Sequence, residues 1–420
     1  MIICNIIRVI KMKKIFKRIW AYLLIIVMFS NTTNVFAGKE ENVNNTDLIK
    51  GFSFDLPGIY PVTPDDSAWK EIGFEEQLEL TCVPDEIAKN SSTEQLVQWV
   101  LNYPFLIDMF AFDDFEDAIN HFKFTNNAFR YLDEKEDFLK CLLNEYKATD
   151  IYSNVAEEEK KENDLLLDEY IKELFMLECF SLYSEKMSED DYLDLRKEIL
   201  TRENFRKMFY PEWCASNVIP DTIDEITGNN ANEIVNATST TGFVVTGSSH
   251  TMYFDGAGTT TTIPGNYYLY GTYAPCEKYV SGDFSATVYS EIDSDFMTLH
   301  PTFVKQGHAT KKYNCHSYAW ISANTNNQFW MNDPTNYINS SYFSHISHNG
   351  SCASGDRIVI YTNDSSVPAH SAISNTNGSN MTAISSVISK LGCQGLYITT
   401  LTDLMLLYSS DSGNYYEVYR

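Results

Sequence analysis

Between residues 66 and 210, apolar side chains recur at the three- and four-residue spacing of amphipathic helices. Leu96, Val97, Val100 and Leu101 share one helical face, behind Ser92-Thr93-Glu94-Gln95, which reads as a capping box. Asn102-Tyr103-Pro104 closes that run, because proline turns the residue before it away from helical backbone. The same period predicts helices over residues 113–131, 134–147 and 156–186. A further helix opens at Ser188, with Asp190 and Asp191 in its first turn, where carboxylates suit the helix dipole. Beyond residue 211 the pattern changes. Residues 242–273 alternate short β-branched or aromatic runs with glycines, which predicts one or two hairpins. Residues 315–323 read as a short helix, and residues 357–361, 369–374 and 382–391 as strands. Gly355-Asp356 marks the turn before the first of these, and residues 363–368 form a loop.

Charge and composition divide the chain at the same place. Residues 1–37 begin with Arg8, Lys11, Lys13, Lys14, Lys17 and Arg18. An apolar run over 21–28 follows, and then Val35-Phe36-Ala37, the order of a cleavable export signal. The apolar run is short for a membrane span, which needs about 20 residues. The expectation is therefore a secreted, extracellular or wall-associated protein with no stable membrane association after processing. Removing residues 1–37 leaves 25 basic against 57 acidic side chains, a formal charge of −32. That balance excludes a nucleic-acid partner, which needs clustered lysine and arginine. The expected organisation is a signal peptide (1–37), an extended lead-in (38–65), an acidic helical domain (66–214), a linker (215–240) and a second domain (241–420). The fold class is α+β.

The chemistry concentrates in the second half. A thiol attacks as thiolate, and a nearby histidine is one device that favours that form. Cys315 stands at the head of the predicted helix with Asn314 at its cap. His370 opens a strand 55 residues later and is the expected base. A third polar group should orient the imidazole through its other nitrogen. The next strand offers Ser389, with Ser386 and Asn375 as competitors, and no Asp or Glu lies between Ile373 and Thr400. Backbone N–H groups at the helix start are placed to hold a developing oxyanion. Asn314, Tyr313 and His316 are the neighbouring candidates for oxyanion or substrate contact, although a capping or surface role fits His316 better. No metal or other cofactor is needed for this chemistry. His345 and His348 fall in a polar loop, and Asp293, Asp295 and Asp333 lack a calcium-loop setting.

Eight cysteines follow residue 37, with no CxxC pair, so a zinc knuckle is not expected. A bridge between Cys352 and Cys393 is compatible with the pattern. Cys141 and Cys179 read as buried hydrophobes in helices. Lys390 reads as structural. Tyr313, Tyr318, Trp320, Phe329 and Trp330 divide between core and substrate groove.

Four motifs carry a resemblance. Asn314-Cys315-His316-Ser317-Tyr318-Ala319-Trp320, Gly355-Asp356-Arg357-Ile358-Val359-Ile360-Tyr361, His370-Ser371-Ala372-Ile373 and Ser389-Lys390-Leu391-Gly392 with Gly395-Leu396-Tyr397 occur in this order. Over residues 300–400 the chain resembles the papain-like NlpC/P60 and CHAP group of bacterial cysteine hydrolases. The resemblance implies a cysteine-bearing helix packed on an antiparallel sheet that carries the histidine. It also implies cleavage of peptide or amide bonds, often in peptidoglycan. By position Cys315 is nucleophile, His370 base and Ser389 the orienting residue. His316 departs from the group, whose better-known branches carry a small polar residue there, and Cys393 interrupts the last motif. Two other functions share these residues: an inactive surface-binding module on the same fold, and an acyltransferase or cross-linking enzyme.

Overall fold

The computed structural model describes residues 54, 56–148, 163–209, 242–254, 258–362, 367–410 and 413–420. The expected signal peptide, most of the lead-in and the linker lie outside them. Helices α1 (Phe74–Thr81), α2 (Asp85–Asn90), α3 (Thr93–Leu101), α4 (Phe115–Thr125), α5 (Asn127–Asp133), α6 (Phe138–Ala148), α7 (Asn163–Leu182) and α8 (Glu189–Phe209) make the first half. At α3 the capping box is complete. Ser92 Oγ accepts from Gln95 N at 3.3 Å, and Ser92 N donates to Gln95 Oε1 at 2.9 Å. Its apolar face, Leu96, Val97, Val100 and Leu101, is buried.

The helix expected over 113–131 is two helices. Asn126 breaks it: its Oδ1 caps α5 by accepting from Ala128 N at 2.9 Å, and its Nδ2 donates to Thr81 O at 2.9 Å. Asparagine competes well for such cap geometry, and here a buried carbonyl on α1 rewards it. Cys179 is buried, but Cys141 is only half-buried, with its thiol directed at Glu94.

The second half holds strands β1 (Phe243–Val245), β2 (His250–Phe254), β3 (Gly258–Leu269), β4 (Thr272–Ser281), β5 (Val304–Gly307), β6 (Phe329–Trp330), β7 (His345–His348), β8 (Arg357–Thr362), β9 (His370–Ser374), β10 (Val387–Lys390), β11 (Leu396–Thr399) and β12 (Asn414–Tyr419). It also holds helices α9 (Ala286–Leu299), α10 (Cys315–Trp320), α11 (Thr335–Ile338) and α12 (Leu401–Leu407). One sheet runs β1-β3-β4-β6 with β2 beside β3, and the other β5-β11-β10-β9-β8-β12-β7. Every pairing is antiparallel. Ile358, Val359 and Ile360 are all fully buried, so β8 is covered on both faces, as its unbroken apolar run requires. Trp320, Met331, Tyr337 and Val359 form a core with Phe243, Ile263 and Cys276 of the smaller sheet. The architecture is therefore α+β, with a helical N-terminal region and antiparallel sheets.

The described residues from 54 to 420 form one compact unit, in which the helical half packs against the second half. Residues 106–111 form a buried 3₁₀ turn against the second half. Within it, Asp108 lies 2.8 and 3.0 Å from His300 Nε2, both side chains fully buried. Phe74, Phe105, Phe296 and Phe303 pack around the His300 ring at centroid distances of 4.8, 5.6, 4.4 and 5.1 Å. Each buried phenylalanine contributes about 1.5–3 kcal/mol relative to exposure, so this junction is a substantial part of the core.

Several local expectations change. Cys352 and Cys393 are free thiols, as are all the described cysteines. Cys352 turns toward Ser374, while Cys393 lies under residue 110. His345 and His348 sit on a strand and flank the Glu417 carboxylate, with His348 Nδ1 at 2.7 Å. Asp293 is occupied by Ala309 N at 2.9 Å, His308 at 2.7 Å and Lys305 at 3.3 Å. Of the five aromatics divided between core and groove, Tyr313, Tyr318, Trp320 and Trp330 are core, and Phe329 is half-buried.

Candidate active site

Helix α10 is six residues long, shorter than the span 315–323, and its start is fixed by Asn314. Asn314 Oδ1 accepts from Ser317 N at 3.1 Å, and Ser317 Oγ accepts from Asn314 N at 3.3 Å. The same amide reaches outward. Its Nδ2 donates to Met331 O at 2.8 Å and to Asp113 Oδ2 at 2.9 Å. Cys315 is thus held at the first helical position, with α10 packed on β9 and β10.

Around the sulfur, two backbone groups favour the thiolate, those of Ser371 and His316. They are outweighed by burial and then by the Asp113 carboxyl, which together push the thiol well above its ordinary value. Asp113 Oδ2 is 3.9 Å from Sγ. Among the described residues no hydrogen bond joins the sulfur to the His370 ring.

His370 opens β9 opposite Ile360. Its Nε2 lies 2.5 Å from Ser389 Oγ, and its ring stacks on Tyr408 at 4.0 Å. The strand order supplies this contact: β9 and β10 are antiparallel neighbours, with Val387 opposite Ser374 and Ile388 opposite Ile373. The hydroxyl of Ser389 has only acceptors for its hydrogen, Ser371 O at 3.0 Å and Lys390 O at 3.3 Å. A serine hydroxyl that donates to Ser371 O accepts from His370, and in that tautomer the imidazole proton is on Nε2 and the lone pair on Nδ1. Burial, followed by the neighbouring His316 ring, holds His370 well below the ordinary histidine range.

His316 is buried rather than at the surface. Its Nδ1 lies 2.8 Å from Ser371 Oγ, which also accepts from Trp320 Nε1 at 3.0 Å. Burial brings its pKa down to about 4, so the ring is neutral. Tyr313 stacks against Tyr318 in a small core cluster, with the Lys390 ammonium 5.3 Å over its ring. Lys390 is wholly buried and donates to Thr310 O at 3.1 Å and to Gly392 O and Gln394 O at 2.5 Å. It ties down the turn after β10, and burial draws its pKa to about 8.

Asp113 is the member that the sequence did not announce. It follows the 3₁₀ turn and stands 202 residues from Cys315. Burial pushes its carboxyl up to about 7, against the pull of Asn314 and Lys390. Its Oδ1 is sealed from solvent and has no hydrogen-bond partner among the described residues. Ligand atoms of Asp113, Cys315 and His316 lie within 4.8 Å of one another. They make a poor cation cage, because Nδ1 of His316 is engaged by Ser371 and Nδ2 of Asn314 already satisfies Asp113 Oδ2.

Cys315 and His370 are each 1% exposed, so the site is closed in this state. A cavity of about 390 Å³ lies elsewhere, among Thr63, Pro64, Tyr103, Ile107, Lys172 and Asp295, and no candidate site residue lines it. Comparison of the chain with protein-family models, with curated proteins and with solved structures found no match. No helix among the described residues is long and apolar enough to cross a membrane.

Proposed function

We propose that this chain is an exported cysteine hydrolase of papain-like type that cleaves amide bonds through an acyl-enzyme. The observation that carries the reading is the hydrogen bond between His370 Nε2 and Ser389 Oγ at 2.5 Å, with Ser371 O 3.0 Å away as an acceptor for the serine hydrogen. This tautomer makes Nδ1 the base, one residue from the Ser371 N–H that meets the Cys315 sulfur.

In the reaction, Nδ1 of His370 takes the thiol proton as Sγ bonds to the amide carbon. Asn314 Nδ2 and the backbone N–H groups beside Cys315 stabilise the oxyanion. The imidazolium returns the proton to the leaving nitrogen as the C–N bond breaks. Water, deprotonated by the same nitrogen, then attacks the thioester, giving a free acid and the thiol. The stem peptides of peptidoglycan are the first substrate class to test, on the resemblance over residues 300–400.

The test is turnover of peptidoglycan fragments, with folding monitored by circular dichroism. Cys315→Ala and His370→Ala should abolish turnover in folded protein. Ser389→Ala should lower kcat by about 10- to 100-fold, because the imidazole loses its orienting partner. Full turnover by Cys315→Ala would refute the reading. The buried sulfur favours one alternative, an inactive surface-binding module on the same fold. That alternative requires binding without turnover, unchanged by Cys315→Ala.

A further inference from the structure

We infer that residues 110–113 of the helical half occupy the acyl cleft of the Cys315 site as a built-in inhibitor, with the Asp113 carboxylate standing where the carboxylate of a cleaved product would lie. The inference rests on the hydrolase reading and adds its regulation. Hydrolysis of an amide leaves a free acid on the acyl side, beside the sulfur and the oxyanion donors. Asp113 meets that description: Oδ2 accepts from Asn314 Nδ2 at 2.9 Å and sits 3.9 Å from Sγ.

The backbone leaves the 3₁₀ turn after Ala111 and is extended on either side of Asp113. Phe112 and Asp114 have extended backbone, with φ/ψ of −91/153 and −140/136. Cys393 N donates to Phe110 O at 3.0 Å, and Tyr408 Oη donates to Ala111 O at 2.7 Å. Gly392, at φ +43, lets three successive carbonyls approach. A Cβ there would stand 2.7–2.8 Å from the oxygens of Phe110, Ala111 and Phe112. Phe112 packs on Tyr408 at 5.2 Å, and Tyr408 in turn covers the His370 ring. The segment therefore reaches the nucleophile directly and the base through Tyr408.

The carboxylate is a costly way to fill space. Its Oδ1 is buried with no partner among the described residues, and Asp117 of α4 and Asp114 at the helix cap repel it, with Lys390 as the attractive charge.

The experiment is alkylation of Cys315 by iodoacetamide in the full chain, followed by peptide mass mapping so that the other cysteines do not interfere. In wild type the sulfur should react slowly. Asp113→Ala should raise its rate about tenfold or more, and Asp113→Asn, which keeps the shape, should raise it less. Thermal melts of both variants establish that they remain folded. No acceleration in either folded variant overturns the inference. His370→Ala in the Asp113→Ala background separates the two readings. A fall in alkylation rate at pH 6 supports the thiol–imidazole pair. An unchanged rate removes the hydrolase reading, and with it the product-mimic role, leaving only a plug over a buried thiol.

Discussion

Replacing Asp113 with asparagine should stabilise the protein, and increasingly so as pH rises. The carboxyl titrates near 3.8 when unperturbed and at about 7 in the fold, where burial is the first cause. Between those values the unfolded chain has released its proton while the folded chain keeps it. The folded state therefore binds more protons, and stability falls as pH rises through the window. A full unit is worth about 1.4 kcal/mol and the folded group is half-ionised at its own pKa, so the loss between pH 5 and 7 is about 2.3 kcal/mol for a sealed group. Asp113 is only half-buried, and screening by solvent reduces this to about 1–2 kcal/mol. Asparagine cannot ionise, and His316, His370 and Lys390 are present in both proteins, so most of their titration cancels in the difference. The assay is urea unfolding of wild type and Asp113→Asn at pH 5, 6, 7 and 8. The stability difference should grow by about 1–2 kcal/mol in favour of the variant and level off above pH 7. A difference that stays flat across this range would refute the account of the carboxyl as a buried, strained group.

Other outcomes follow from the junction and the turn. Asp108→Ala leaves the His300 ring buried without the one bonded partner it has among the described residues, and should cost about 3–5 kcal/mol in chemical unfolding. The double variant Asp108→Leu, His300→Phe should recover much of that loss, because the surrounding phenylalanines accept an apolar ring. Gly392→Ala should lower stability by about 2 kcal/mol or more, combining left-handed backbone with a clash against three carbonyls; an unchanged urea midpoint would contradict the close approach. Asn314→Ala removes the α10 cap and the amide's bonds to Met331 and Asp113, and should cost about 1–2 kcal/mol by the same measurement.

Local physics was legible in the chain. The Ser92 capping box, the apolar face of α3, the start of α8 at Ser188 and the glycine turn before β8 follow from contacts within a few residues, where composition and spacing carry the information. Strand β9 was readable for the same reason; of the strand expected over 382–391 only Val387–Lys390 forms, after a 3₁₀ turn at Met381–Ala383, and it brings residue 389 beside residue 370. What the sequence left open depends on partners far along the chain. The break at Asn126 depends on a carbonyl on α1, and the burial of His316 on Ser371 and Trp320. Asp108 gains its meaning from a histidine 192 residues away, and Asp113 from a cysteine 202 residues away. Periodicity reports which face of an element is buried, and not what it is buried against. Tertiary packing alone decided that the helical half would set a carboxylate beside the sulfur, because only the folded chain brings those two segments within reach.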